Sequence, residues 1–178
     1  RRWEAIVATD ARPALDPQAP ALARDYSAVL QATYNKPALK ETQERIVAER
    51  LTPLADTLFF SRYRYPDDET GIFALHTVER GERPDSIGRA YGMSYQFINL
   101  MREHPPESGE LKLGETLKVL RAKEHGGYLV HVDKSDFFAD VFVCGILIRR
   151  FPVGIGAPES PTPVGTGHID MRSLEPDW

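Results

Sequence analysis

The sequence predicts an α+β fold built from three segments in series, and three observations predict it. Apolar residues recur at helical spacing up to residue 58, and short β-branched stretches bracket two more helical patterns between 75 and 120. From residue 126 two-fold alternation takes over, with glycine at the reversals. The expected division is a helical hairpin and linker over 1–70, a βααβ unit over 71–122 and an all-β sheet over 123–178. The 178 residues are 42% hydrophobic and 27% charged, which suits a packed chain rather than a disordered one. Net charge is −4 and no basic stripe appears, so nucleic acid is not expected as a partner. No run of 18 apolar residues exists, so no membrane span is expected in this chain. The single cysteine, Cys144, excludes an intramolecular disulfide and any Cys-based zinc site.

The first segment should be two antiparallel helices. Asp16-Pro17 reads as an N-cap followed by proline at the first helical position, where a missing N–H is harmless. Leu22, Tyr26, Val29 and Leu30 then fall on one helical face, and Asn35-Lys-Pro37 breaks the helix. Val47, Leu51, Leu54 and Leu58 form the second stripe, with Pro53 expected to kink or restart the helix behind a Thr52 N-cap. The pair is conceivable as a tetratricopeptide-like unit, but no repeat at a fixed period follows it. Arg62-Tyr-Arg-Tyr65 and the acidic, turn-rich Pro66–Gly71 read as a linker crossing a surface.

The second segment should run strand, helix, helix, strand. Thr77-Val78 and Thr116–Leu120 are the strands; Pro84 opens one helix, which Gly92 ends. Ser94 caps the other, whose apolar face holds Phe97, Ile98 and Met101. A unit this short must bury nearly all its apolar residues, so Val78, Ile87, Tyr91, Ile98, Leu111, Leu117 and Val119 are assigned to the core. The phrases His76-Thr-Val78, Gly81-Glu82, Ser86-Ile87, Tyr91-Gly92, Ile98, Leu111-Lys-Leu-Gly114 and Leu117-Lys-Val119 resemble a LysM domain. Pro84 stands where that family usually has Leu, Gly88 where it has Ala, and Arg102 where an Asn is common. The resemblance implies binding of N-acetylated glycans between the loop after the first strand and the loop before the second. Those loops here are Gly81 to Pro84 and His104 to Glu110, which makes Gly81, Glu82, Arg83, Pro84, Arg102 and His104 the candidate glycan-binding residues.

The third segment should be a meander: Tyr128–Asp133, a turn at Lys134-Ser-Asp136, Asp140–Val143, a tight Cys144-Gly145 reversal and Ile146–Phe151. A last strand is expected around Gly165 to Ile169. Phe151-Pro-Val-Gly-Ile-Gly156, Ser160-Pro-Thr-Pro-Val-Gly165 and Gly167-His-Ile169 resemble the opening strands of an L,D-transpeptidase (YkuD-type) catalytic domain. Pro152, Gly154, Gly156, Thr162, Pro163 and Gly165 carry that motif and are read as structural. The resemblance covers less than half of that domain. It implies a cysteine acyltransferase that cross-links peptidoglycan, with its nucleophile in a Ser-His-Gly-Cys motif. The chain opens on Arg1-Arg-Trp3 and ends at Trp178 ahead of any such motif. Both ends are expected to be cuts, which leaves a signal or anchor upstream open, and this chain alone is expected to be inactive.

No residue is assigned a catalytic role. Cys144 sits at a hairpin reversal with no Ser-His-Gly before it and reads as a bystander thiol. His131, mid-strand, and His168 read as surface or partly packed imidazoles. No histidine spacing suggests a metal and no cofactor is expected. Gly154-Ile-Gly156 and Gly165-Thr-Gly167 are turn glycines rather than phosphate loops. The expectation is a LysM-bearing L,D-transpeptidase fragment in the bacterial cell envelope, periplasmic or secreted, with peptidoglycan strands and stem peptides as partners. Two other readings compete: a non-enzymatic peptidoglycan-binding protein with a degenerate β-domain, and a protein–protein adaptor built on the hairpin.

Overall fold

The computed structural model describes residues 17–65 and 68–169. Its elements run α1 (Ala19–Thr33), a 3₁₀ turn (Pro37–Leu39), α2 (Lys40–Arg45), a π-helical turn (Ile46–Leu51) and α3 (Thr52–Phe59). After these come β1 (Phe73–Thr77), α4 (Pro84–Tyr91), α5 (Tyr95–Met101), β2 (Thr116–Leu120), β3 (Tyr128–Asp133), β4 (Phe138–Val143) and β5 (Ile146–Pro152). The fold is mixed α and β with two small antiparallel sheets, β1-β2 and β3-β4-β5.

The hairpin departs from expectation in three places. Asp16 lies outside the described residues, and α1 begins at Ala19 rather than Pro17. A start at Pro17 would put Pro20 at the first position that must donate an intrahelical hydrogen bond; starting at Ala19 leaves Pro20 inside the undemanding first turn. The buried stripe of α1 is Ala19, Ala23, Ser27 and Leu30, while Val29 is exposed and Leu22 and Tyr26 are half-buried. Small residues on that line let neighbouring backbone approach, and Ser27 uses its hydroxyl to accept the Leu147 N–H at 2.9 Å. At Pro53 there is no fresh N-cap: Thr52 is helical (φ −59°, ψ −50°), and the chain widens into the preceding π turn. Proline lacks an N–H and its ring clashes with the carbonyl four residues back, so a locally wider helix accommodates it. Val47, Leu51, Leu54 and Leu58 are all buried, on the expected stripe.

The linker is not wholly a surface crossing. Tyr65 is buried, its ring 5.3 Å from that of Phe73. Pro66 and Asp67 lie outside the described residues.

In the second segment β1 pairs with β2 from Phe73↔Leu120 to Thr77↔Thr116, and α4 and α5 connect them. Gly92 takes the left-handed conformation (φ 75°) that ends α4, and the Ser94 hydroxyl accepts the Phe97 N–H at 3.2 Å to start α5. Val78, Ile87, Ile98, Leu117 and Val119 are buried; Tyr91 and Leu111 are half-buried against them. The Gly88 position is dictated by packing, because a Cβ there would lie 2.6 Å from the Met93 carbonyl oxygen.

In the third segment β4 is central, pairing Tyr128↔Val143 through Asp133↔Phe138 on one side and β5 on the other, with a bulge at Val141/Phe142. Cys144 (φ 52°) and Gly145 (φ 78°) make the reversal with two positive φ values, as a two-residue hairpin requires. One face of this sheet packs on the hairpin, where Phe142 and Leu147 join Leu30, Val47 and Leu51. The other carries exposed Tyr128, Val130, Val132 and Phe151. The expected strand at Gly165–Ile169 does not form; those residues are irregular and exposed. Pro161 and Pro163 remove two backbone donors from the approach, and Thr162 is spent otherwise. Its Oγ1 accepts the Gly156 N–H at 2.7 Å and its carbonyl accepts the Lys134 ammonium at 2.5 Å.

One apolar cluster runs through all three segments. It joins Leu54, Ala55, Leu58 and Phe59 of α3 to Ile87, Ile98, Leu117 and Val119, and to Val143, Cys144, Ile146 and Ile148 of the second sheet.

Candidate functional site

An open groove of about 760 Å³ lies beside the βααβ unit. One wall is the β1–α4 connection and the first turns of α4: Glu82, Arg83, Pro84, Asp85, Ser86 and Arg89. The other is the α5–β2 loop with Glu107, Ser108 and Gly109, and Tyr95 from the start of α5 stands between them.

Each wall is fixed by hydrogen bonds that its sequence supplies locally. Glu82 Oε2 accepts the Glu79 N–H at 2.7 Å and contacts His76 Nε2 at 2.9 Å. The Glu79 N–H first, and His76 second, hold the Glu82 carboxyl below its usual range. His76 also approaches the Tyr91 hydroxyl through Nδ1 at 3.3 Å, which anchors the wall to β1 and α4 together. Pro84 is buried at the start of α4, and the Arg83 N–H and carbonyl are both engaged by the Ser86 hydroxyl. Asp85 and Arg89 pair with each other one helical turn apart. Across the groove the Tyr95 hydroxyl donates to Glu107 Oε2 at 2.6 Å.

Of the residues singled out in sequence, Glu82, Arg83 and Pro84 line the groove and Gly81, Arg102 and His104 do not. Gly81 (φ 88°) shapes the turn before Glu82. His104 is half-buried, its N–H on the Asn99 carbonyl at 2.9 Å. Arg102 turns inward, 7% exposed, with Nε and Nη2 each 3.0 Å from a Glu115 carboxylate oxygen. Sequence reasoning missed Asp85, Ser86, Arg89 and Tyr95. The signal was present for Tyr95, which falls outside the apolar stripe of Phe97, Ile98 and Met101 on the same helix.

The residues of the 152–165 motif differ in their contacts. Pro152 ends β5 opposite Phe138. A Cβ on Gly156 would collide with the Ser160 carbonyl oxygen, whereas Gly154 and Gly165 (φ 148°) face open space and Pro163 is exposed.

Elsewhere the titratable groups serve packing. Asp140 is fully buried and takes Arg150 in a two-point pair at 2.7 and 2.6 Å, plus the Tyr34 hydroxyl at 2.5 Å. Burial first, then Asp140, pushes Tyr34 far above its ordinary range, so it stays a donor. His131 stacks on Tyr34 at 4.0 Å between ring centroids, its buried Nε2 without a hydrogen-bond partner. A smaller hollow of about 310 Å³ beside this cluster is lined by Lys40, Glu44, Asp136 and Arg150, whose charges balance. Cys144 is 1% exposed, and burial pushes its thiol up to about 11, which leaves almost no thiolate at neutral pH. His168 is exposed. Among the described residues no helix is long and apolar enough to cross a membrane. No family model matches the chain, and no curated protein or solved structure matches it.

Proposed function

We propose that this chain binds the N-acetylated glycan strands of peptidoglycan through the 82–89/107–109 groove, as the wall-binding part of an L,D-transpeptidase-like protein of the bacterial envelope. The observation that carries the reading is positional. This groove lies between the loop after β1 and the loop before β2, the two loops that the LysM resemblance implies for glycan. Its chemistry suits a neutral, hydroxyl-rich ring. Glu82, Glu107, Ser86 and Ser108 offer acceptors for sugar hydroxyls, while the half-buried Tyr95 ring gives apolar area for a pyranose face. Gly109 leaves backbone open to a ligand. Bound to glycan, the module would raise the local concentration of stem peptides for cross-linking. The cross-linking nucleophile itself is not assigned to this chain, because Cys144 is buried and its pKa is raised.

The test is retention on purified sacculi, with amide shifts on titration by an N-acetylglucosamine oligomer. Shifts at residues 82–86 and 107–109, with weaker retention in Tyr95→Ala and Glu107→Gln, are expected. No retention and no shifts would sink the reading.

A further inference from the structure

The α5–β2 loop forms one groove wall, yet residues 105–110 contain no helix or strand to hold them. Besides the Tyr95–Glu107 bond and two local bonds, Ser108 N–H to the Pro105 carbonyl and Glu110 N–H to Ser108 Oγ, a chain of side chains that starts in the core holds them. Arg102 closes the two-point pair with Glu115 and spends Nη1 on Asn99 Oδ1 and on the Glu110 carbonyl, both at 3.0 Å. Asn99 is 0% exposed, and its Nδ2 donates to the Pro106 and Ser108 carbonyls, both at 2.8 Å. Glu115 in turn accepts the Lys112 N–H at 3.2 Å. The carbonyls that Asn99 grips flank Glu107 and lie next to Gly109, the wall residues that face the groove.

The geometry points to Asn99 and Arg102 as positioning residues: neither lines the groove, and together they set where Glu107, Ser108 and Gly109 stand. This rests on the groove being the ligand site proposed above. Arg102 fixes the Asn99 amide orientation, because a guanidinium on Oδ1 leaves Nδ2 to face the loop. Asn99 then satisfies two loop carbonyls that have no strand partner. A loop held in one conformation before ligand arrives loses less entropy on binding, so the network acts on affinity through pre-organisation.

Asn99→Asp separates this role from core packing. It keeps the size and the acceptor for Arg102 but removes both donors to the loop. The measurement is amide hydrogen exchange of the ligand-free full chain, followed by titration with an N-acetylglucosamine oligomer. Exchange at Ser108 and Glu110 should quicken by about tenfold or more while β1, β2 and α4 keep their protection. Oligomer affinity should fall by about tenfold, and thermal stability should fall as well, because two carbonyls lose their donor. Arg102→Lys, which keeps the charge but not the fork, should give a weaker form of the same local loosening. Unchanged loop exchange, or loosening spread evenly over the unit, would overturn the assignment, as would full affinity despite a loosened loop. Failure of the wild-type chain to bind any oligomer removes the proposed function instead, and exchange at Ser108 and Glu110 still decides whether the network holds the wall.

Discussion

Lys118, on β2, donates its ammonium to the carbonyl of Leu58 in the last turn of α3 at 2.9 Å, and to that of Ser61 at 2.6 Å. It is 4% exposed, with the Tyr65 and Phe73 rings beside it at 5.9 and 5.7 Å. Burial lowers its pKa to about 7, with Glu103 opposing more weakly. A neutral amine still has two N–H groups, one for each carbonyl. The unfolded chain keeps this proton up to its ordinary pKa of 10.5, whereas the folded chain releases it near 7. Between those values the unfolded state binds more protons, so this group makes stability rise with pH. Lys118→Met should remove that rise, leaving two carbonyls unpaired at a cost of about 1–3 kcal/mol each. Denaturant melts of the two proteins at pH 6.5 and 9 check it; the stability gap should widen at the higher pH.

Asp140 joins the hairpin to the second sheet through Tyr34, 106 residues away, and holds Arg150 over the Phe138 ring. Asp140→Asn leaves a half-buried guanidinium uncompensated and should cost about 3–5 kcal/mol. Tyr34→Phe should cost about 1 kcal/mol. The double variant should lose less than the sum, because both changes break the same bond; additivity in a chemical-denaturation cycle would contradict the network.

Gly88→Ala sets helix propensity against packing. Alanine should gain about 1 kcal/mol in a helix interior, but its Cβ meets a backbone oxygen at 2.6 Å, and overpacking costs about 1–3 kcal/mol. The Met93 N–H bonds the Gly88 carbonyl at 2.8 Å, so the two segments cannot easily part. A net loss of up to about 2 kcal/mol in thermal unfolding is expected.

Cys144 should resist a thiol reagent at pH 8 in the native protein and react stoichiometrically in denaturant, since both burial and a thiol pKa of about 11 oppose attack. Rapid native-state labelling would show an exposed or activated thiol.

What the sequence made legible was punctuation and period. Gly92 ends a helix, Ser94 begins one, and Cys144-Gly145 reverses a hairpin where residue type alone placed each event. What it hid depends on partners distant in sequence. Arg102 reads as an exposed arginine at a helix end until Glu115 appears 13 residues later. Lys118 alternates with the buried Leu117 and Val119 in β2, yet the Leu58 and Ser61 carbonyls and the Tyr65 and Phe73 rings bury it as well. The Gly165–Ile169 stretch has strand-like residues and, among the described residues, no strand paired with it, and a strand is a property of two segments. In the groove, the loop spans were legible and the side-chain directions were not. Glu82 and Arg102 look alike as charged loop-flanking residues, yet one faces the groove and the other the core.

The shared apolar cluster bears on modularity. Because α3 supplies Leu54, Ala55, Leu58 and Phe59 to a cluster that also takes in the βααβ unit and the second sheet, cutting the chain near 70 or 122 would strip wall from both pieces. The three segments should therefore melt as one cooperative unit, giving a single calorimetric endotherm whose van't Hoff and calorimetric enthalpies agree.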